Sequence, residues 1–200
     1  MPLPHAEDQV LVLAAGQGAR MGVPKALMDV GGRPWWRVQS ARLETVGLPV
    51  TWVVSEEVAR AIEGAPPGEA LRLIRADSDA PMFESLMIGM RALEPSQTPP
   101  RGVFVLPVDV PAPLREVWGA LAGSMTPAVP EFEGQRGHPV YLPWAWVRER
   151  LLGVALPPES RRLNALLVGE ARAVAVDDRH VVTNLNTPED VSRWMRLKEA

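Results

Sequence analysis

The sequence predicts an α/β fold, a three-layer, open, mostly parallel sheet with helices on both faces. Three observations lead there: short runs of continuous apolar residues, amphipathic segments with helical spacing between them, and a glycine-rich loop directly after the first run. At 200 residues the chain is within reach of one α/β core, so a single domain over 1–200 is expected. An apolar fraction of 46% with 22% charged residues is that of a packed chain and argues against extensive disorder.

Val10 to Ala14 reads as a strand buried on both faces at the centre of a parallel sheet, because polar alternation is missing and glycines follow at once. Pro34, a favoured first-turn residue, opens a helix to about Val46, with Gly47 as its stop. Val50 to Val54 and Leu71 to Ile74 are the next strands. Phe83 to Leu93 carries Leu86, Met87, Met90 and Leu93 as one apolar helical stripe. Val103 to Leu106 is a further strand, and Pro113 to Ser124 a helix with Leu114, Val117, Trp118 and Leu121 on its inner face. This alternation predicts βαβ units with right-handed crossovers. The second half is less regular, with extended pieces at Ala128 to Phe132, Val140 to Leu142 and Ala173 to Val176, and helical pieces near Trp144 to Leu152 and Arg161 to Val168. It reads as a continuation of the same sheet. Thr187-Pro188-Glu189-Asp190 supplies an N-cap, a first-turn proline and an acid at the third position, so a last helix begins there, docked by Val191, Trp194, Met195 and Leu197.

Composition narrows the function. A net charge of -3, with acids and bases interspersed, offers neither a nucleic-acid groove nor a basic membrane face, so a small-molecule partner is expected. The absence of cysteine excludes disulfides, thiolate zinc sites and a cysteine nucleophile. The first residues lack a basic region, and no stretch approaches the roughly 20 apolar residues of a membrane span, so a cytoplasmic protein is expected.

The strongest chemical signal is the first loop, Leu13-Ala-Ala-Gly16-Gln-Gly18-Ala-Arg20-Met-Gly22-Val-Pro-Lys25. Gly16, Gly18 and Gly22 let backbone N–H groups approach an anion, and Arg20 and Lys25 add two cations, so the loop should hold phosphate. A dinucleotide fingerprint would need glycine where Met21 stands, and a P-loop would need Lys-Ser/Thr directly after a glycine; neither fits. The plainer alternative is a tight turn with solvated charges. Asp109, in Leu106-Pro-Val-Asp109-Val-Pro111, follows another buried strand and should face the same crevice. It is a candidate magnesium ligand, since such ions take one or two carboxylates plus phosphate oxygens and water, or it is only a cap for the turn before Pro113.

The first loop, with Gly32-Arg-Pro34 and Leu106-Pro-Val-Asp109-x-Pro111, resembles the molybdenum-cofactor nucleotidyltransferases, the MobA-like and MocA-like enzymes, over nearly the whole chain. Gly134-x-x-Gly137-His138-Pro139-Val140 looks like the Gly-His-Pro segment of the cytidylyltransferase branch. Asn184-Leu-Asn186-Thr-Pro-Glu-Asp190 is similar to the Asn-x-Asn-Thr-Pro-Glu segment of the guanylyltransferase branch. The resemblance implies the Rossmann-like nucleotide-diphospho-sugar transferase fold. It also implies transfer of a nucleoside monophosphate from an NTP to a phosphate-bearing acceptor, molybdopterin or molybdenum cofactor, with release of pyrophosphate. Leu-Ala-Ala-Gly is similar to enzymes that use CTP, which places GTP second. By the same resemblance Leu13, Ala14, Ala15, Gly16 and Gly18 bind the nucleotide together with Ser85. Arg20 and Lys25 neutralise the triphosphate, and Asp109 holds Mg²⁺. The family's Asn-Pro and Gly-Met correspond to Arg75-Ala76 and Pro81-Met82, which puts Arg75 near the base or ribose. His138, Asn184 and Asn186 are acceptor-side candidates, with Asn184 or Asn186 also able to complete the metal site. A molybdoenzyme or its chaperone is a candidate protein partner.

Plainer roles stand beside these. His138 before proline suits a local hydrogen-bond fixture, and Asn184 and Asn186 suit turns ahead of the last helix. Trp118 and Trp194 fall on apolar helical faces and read as core; Trp35 and Trp36 are open, and Trp144 and Trp146 suit an acceptor pocket or a subunit contact. Asp77 and Asp79 read as a solvated loop. Two other functions fit the same residues: a sugar-phosphate or methylerythritol-phosphate nucleotidyltransferase, and a nucleotide-binding accessory module without turnover. A glycosyltransferase fits less well, because Val108-Asp109-Val110 has one acid where an Asp-x-Asp pair is usual.

Overall fold

In the computed structural model, which describes residues 4–16, 22–65, 71–94 and 99–198, the first apolar run is strand β1 (Gln9–Ala14). It lies at the centre of the parallel half of one eight-stranded sheet. On one side it pairs with β2 (Val50–Val54), which pairs in turn with β3 (Arg72–Arg75); on the other it pairs with β4 (Gly102–Pro107), all in parallel. The remaining strands are β5 (Ala128–Phe132), the two-residue β6 (Gln135–Arg136), β7 (Val140–Pro143) and β8 (Arg172–Ala175). β7 runs antiparallel between β4 and β5, and β5 pairs antiparallel with β6 and parallel with β8. The sheet is mixed but mostly parallel along its first four strands.

Successive strand residues point to opposite faces, and both faces are covered. Val10, Val12, Ala14, Trp52, Val54, Phe104 and Leu106 pack in one cluster with residues of α1 (Trp35–Glu44), α2 (Glu56–Glu63), α4 (Arg115–Leu121) and α7 (Pro188–Lys198). Leu11, Leu13, Val53, Val103 and Val105 pack in the other with α3 (Met82–Leu93), α5 (Trp144–Val147) and α6 (Leu163–Leu167). Gly89 sets how closely α3 settles on the sheet: a Cβ there would stand 2.7 Å from both Leu11 methyl carbons.

Three features differ from the sequence pattern. The first is α2, two turns that the expected order of elements omits. Its start is nevertheless written in the chain, because Ser55 Oγ accepts the Val58 N–H at 3.3 Å and Glu56 and Glu57 occupy the first turn. The helix expected over 144–152 is split into α5 and a wider π-helical turn, Arg148–Leu152. The helix expected over 161–168 shrinks to α6, since Arg162 takes an extended conformation. Among the described residues no helix is long and apolar enough to cross a membrane.

The single tyrosine gives the fold a measurable alkaline limit. Tyr141 is 1% exposed, and its hydroxyl donates to Asp8 Oδ1 at 3.2 Å. Burial, reinforced by the Asp8 charge, pushes the phenol up to about 12 from an ordinary 10.0. A folded-state value above the unfolded one means that the contribution is complete below pH 10.0 and is lost as pH rises towards about 12. The expected loss is about 2–3 kcal/mol. Tyrosinate absorbance should titrate in step with unfolding, and Tyr141→Phe should remove that alkaline slope. A slope unchanged in Tyr141→Phe would assign it to other groups.

Candidate active site

β1 and β4 lie side by side and end at the same edge, so the loops that follow them face one crevice. Lys25 enters it from a single 3-10 turn, Lys25–Leu27, started by Pro24. Its Nζ donates to Asp109 Oδ2 at 2.7 Å and to Asn186 Oδ1 at 2.6 Å. With side chains 24% and 17% exposed, Lys25 and Asp109 form an ion pair that is partly screened from water and so stronger than a surface pair.

The loop carrying Asp109 is gripped by one face of α1, through residues spaced i, i+4 and i+7. Trp35 Nε1–H donates to Val108 O at 2.6 Å. Gln39, fully buried, donates from Nε2 to Val110 O at 2.7 Å and accepts the Ala112 N–H on Oε1 at 3.0 Å. Arg42 Nε donates to Ala112 O at 2.8 Å. The backbone on either side of Asp109 therefore has its partners, and the side chain is left to Lys25 instead of capping the turn. The third member is tied to the second, since Leu185 N–H donates to Asp109 O at 2.8 Å. Asp190 Oδ2 then accepts the Asn186 and Thr187 N–H groups at 3.2 and 3.0 Å, and Thr187 Oγ1 accepts the Asp190 N–H at 3.2 Å. This reciprocal cap starts α7 and orients Asn186 at once.

Two adjoining cavities meet at Leu13, Met82, Pro107 and Asp109. The smaller, about 320 Å³, is lined by Ala15, Gly16, Lys25, Ser85 and Asn186 among others. The larger, about 510 Å³, holds His138 and Asn184. Gly137 seats His138: a Cβ on Gly137 would lie 2.0 Å from Val181 O, which in turn accepts the His138 N–H at 2.8 Å. Burial pushes the His138 imidazole down, with Asp109 partly opposing, which leaves a neutral ring near pH 7. For a cation, the described residues of the smaller cavity offer oxygen donors, the Asp109 carboxylate and the Asn186 amide among them. No group of three His, Cys, Asp or Glu occurs among the described residues, so substrate oxygens and water would have to supply the rest. That donor set suits a hard divalent ion on a phosphate.

Residues 10–173 match the family described as the MobA-like NTP transferase domain. The chain belongs to this family. Solved structures agree on the fold. The manganese complex of Rv0371c from Mycobacterium tuberculosis H37Rv is similar with a TM-score of 0.69 at 18% identity, covering 94% of this chain and 98% of that one. The molybdopterin-guanine dinucleotide biosynthesis protein A of Archaeoglobus fulgidus gives 0.65 at 16%, covering 96% and 98%. The 4-diphosphocytidyl-2C-methyl-D-erythritol synthase of Anaerococcus prevotii DSM 20548 gives 0.72 at 12%, covering 96% and 98%. Asn184 and Asn186 lie beyond the matched residues, yet they line the two cavities of this crevice.

In this NTP transferase the expected site residues divide. Leu13, Ala15, Gly16, Lys25, Ser85, Asp109 and Asn186 line the smaller cavity, and His138 and Asn184 the larger one. Ala14 points into the core instead. Gly18 and Arg20 lie outside the described residues. Arg75 is not brought in: its guanidinium is held at the protein surface by Glu56 at 2.9 Å and Glu63 at 2.7 Å. Those two acids sit on α2, the helix that the expected order of elements omits. Trp118 and Trp194 are core residues, and so is Trp35, packed edge-to-face on Trp194 at 5.1 Å. Trp36 is also buried and carries Arg37 over its ring, while Trp144 packs into the second core cluster. Trp146 donates to Glu170 Oε2 at 2.5 Å and lines neither cavity. Asp77 accepts the Asp79 N–H in an exposed loop. Gln39 and Arg42 escaped sequence reasoning; the available signal was a polar pair on the face of α1 that also bears Trp35.

Proposed function

We propose that the protein transfers a nucleoside monophosphate from an NTP, CTP first and GTP second, to a phosphate-bearing acceptor, molybdopterin, and releases pyrophosphate. The observation that carries this reading is the Lys25 ammonium held between Asp109 and Asn186 beside Gly16. It puts a cation, a carboxylate and Gly16 on one cavity, as a triphosphate requires. An acceptor phosphate oxygen attacks the α-phosphorus, the α–β anhydride bond breaks, and pyrophosphate leaves with the bonding electron pair. The attacking phosphate is already ionised near pH 7, so no strong base is needed and the protein's part is positioning and charge neutralisation. A neutral His138 fits such a site, because it offers a hydrogen bond without taking a proton from the acceptor. Asp109 and Asn186 would hold Mg²⁺, which when bound neutralises charge on the phosphate oxygens. The manganese complex of the mycobacterial relative is in keeping with a divalent ion here.

The test is pyrophosphate release by purified protein with Mg²⁺ and each NTP in turn, given molybdopterin or methylerythritol phosphate. Release with CTP and molybdopterin is the expected result. Release only with methylerythritol phosphate would reassign the acceptor. Thermal stabilisation by CTP without release from either acceptor would make the protein a nucleotide-binding module.

A further inference from the structure

We propose that Asp178 is a positioning residue of this site: with His180 it joins the wall that carries Asp109 to the wall that carries His138, Asn184 and Asn186. Its effect on turnover rests on the transfer reaction proposed above; the joint itself does not.

Asp178 lines neither cavity, and its side chain is only 4% exposed. Oδ2 accepts the Leu114 N–H at 2.6 Å, while Oδ1 accepts the His180 N–H at 2.9 Å and meets His180 Nδ1 at 2.7 Å. Burial pushes the Asp178 carboxyl up, but the bonds from His180 and Leu114 outweigh it and hold the group below its ordinary value. An ionised carboxylate only accepts, so ring Nδ1 carries the proton. Arg42 adds a charge from α1: burial pushes its guanidinium down, and the Asp178 charge opposes that. The bond to the His180 N–H is an ordinary cap of the 3-10 turn Arg179–Val182. The bond to Leu114 is not local, since it reaches across 64 positions.

What this bond joins gives it a function. Leu114 ends the loop that starts at Asp109 and is held by Gln39 and Arg42 at Val110 and Ala112. Asp178 opens the segment that passes through Val181, whose carbonyl accepts the His138 N–H, to Asn184 and Asn186. Beside the cavities the same two segments are tied once more, by the Leu185 N–H on Asp109 O at 2.8 Å. One tie leaves a hinge, whereas two fix both spacing and angle. Asp178 supplies the second, and without it the groups on the two walls lose their register. A misplacement of about 1 Å can cost about 100-fold in rate.

Asp178→Asn keeps the size but sets an NH₂ donor against N–H donors. Its kcat for pyrophosphate release from CTP and molybdopterin should fall at least about tenfold, while the KM for CTP stays within about twofold, because Gly16 and Lys25 stand on the loop after β1. Amide hydrogen exchange on the intact protein gives a readout that needs no reaction. The His138 and Leu185 amides should exchange at least about tenfold faster relative to those of Val12 and Leu106 at the sheet centre. His180→Ala removes one donor from a side chain that is 24% exposed, so it tests the joint even if Asp178→Asn fails to fold. Its kcat should fall by about threefold or more. His180→Asn, whose amide N–H stands where ring Nδ1–H stood, should recover kcat to within about twofold of the parent. Parent-like turnover in Asp178→Asn, equal acceleration of all these amides, or a His180→Asn as slow as His180→Ala would each overturn the assignment. No pyrophosphate release by the parent protein would remove the transfer reaction, and the exchange pattern would then decide the joint by itself.

Discussion

Lys25→Ala and Asp109→Asn are each expected to lower turnover by at least ~100-fold, the usual scale for losing a group that stabilises charge in the transition state. Their effects on binding should differ. With no nucleotide bound, the Lys25 ammonium lies 2.7 Å from Asp109 and 2.6 Å from Asn186, so it must exchange partners to reach a triphosphate. Asp109→Asn removes the stronger of those competing partners. Nucleotide affinity measured without metal should therefore hold or rise, even as turnover falls. Lys25→Ala deletes the cation itself, and thermal stabilisation by CTP should shrink along with turnover. It also leaves Asp109 partly buried without its counter-charge, so Lys25→Gln, which keeps a donor of similar reach, separates folding from chemistry. Turnover within tenfold of the parent protein in a folded Asp109→Asn variant would remove Asp109 from the mechanism.

Gln39→Leu should be the most damaging substitution away from the cavities. Leucine fills nearly the same volume but can neither donate to Val110 O nor accept from Ala112 N–H, and both groups stay buried. Each orphaned group costs about 1–3 kcal/mol, so a total loss of about 2–6 kcal/mol is expected, read as a lower urea midpoint at constant slope. Because those bonds fix the loop on which Asp109 stands, turnover should also fall by roughly tenfold or more, as small displacements of a reacting site do. A midpoint shift worth less than about 0.5 kcal/mol would show that water replaces the amide and that α1 does not hold the loop.

Most of the fold was legible because strand and helix each impose a period on buried residues. The runs 10–14, 50–54 and 103–106 have no polar alternation, and they are the strands covered on both faces. The capping signature at Thr187 to Asp190 likewise reports a local event, and α7 begins there. What escaped was short or depended on a distant partner. α2 offers only two turns, and the antiparallel insertion of β7 between β4 and β5 is a matter of which edge meets which. At the candidate site Gly16, Lys25 and Asp109 stand out by residue type and place after strands. Gln39 does not, because an amide on a helix reads as solvated until the loop 110–112 is packed against it.

The α/β class, the order of the central elements, the phosphate-type loop and the family resemblance can all be read along the chain, since each is carried by neighbours in it. It takes the packed fold to share Lys25 between Asp109 and Asn186, residues 84 and 161 positions away. The same packing turns Arg75 to the acids of α2 and away from the cavities. The reason is physical: periodicity is local, whereas the partner a charge finds depends on how non-adjacent segments are brought together by burial of the sheet.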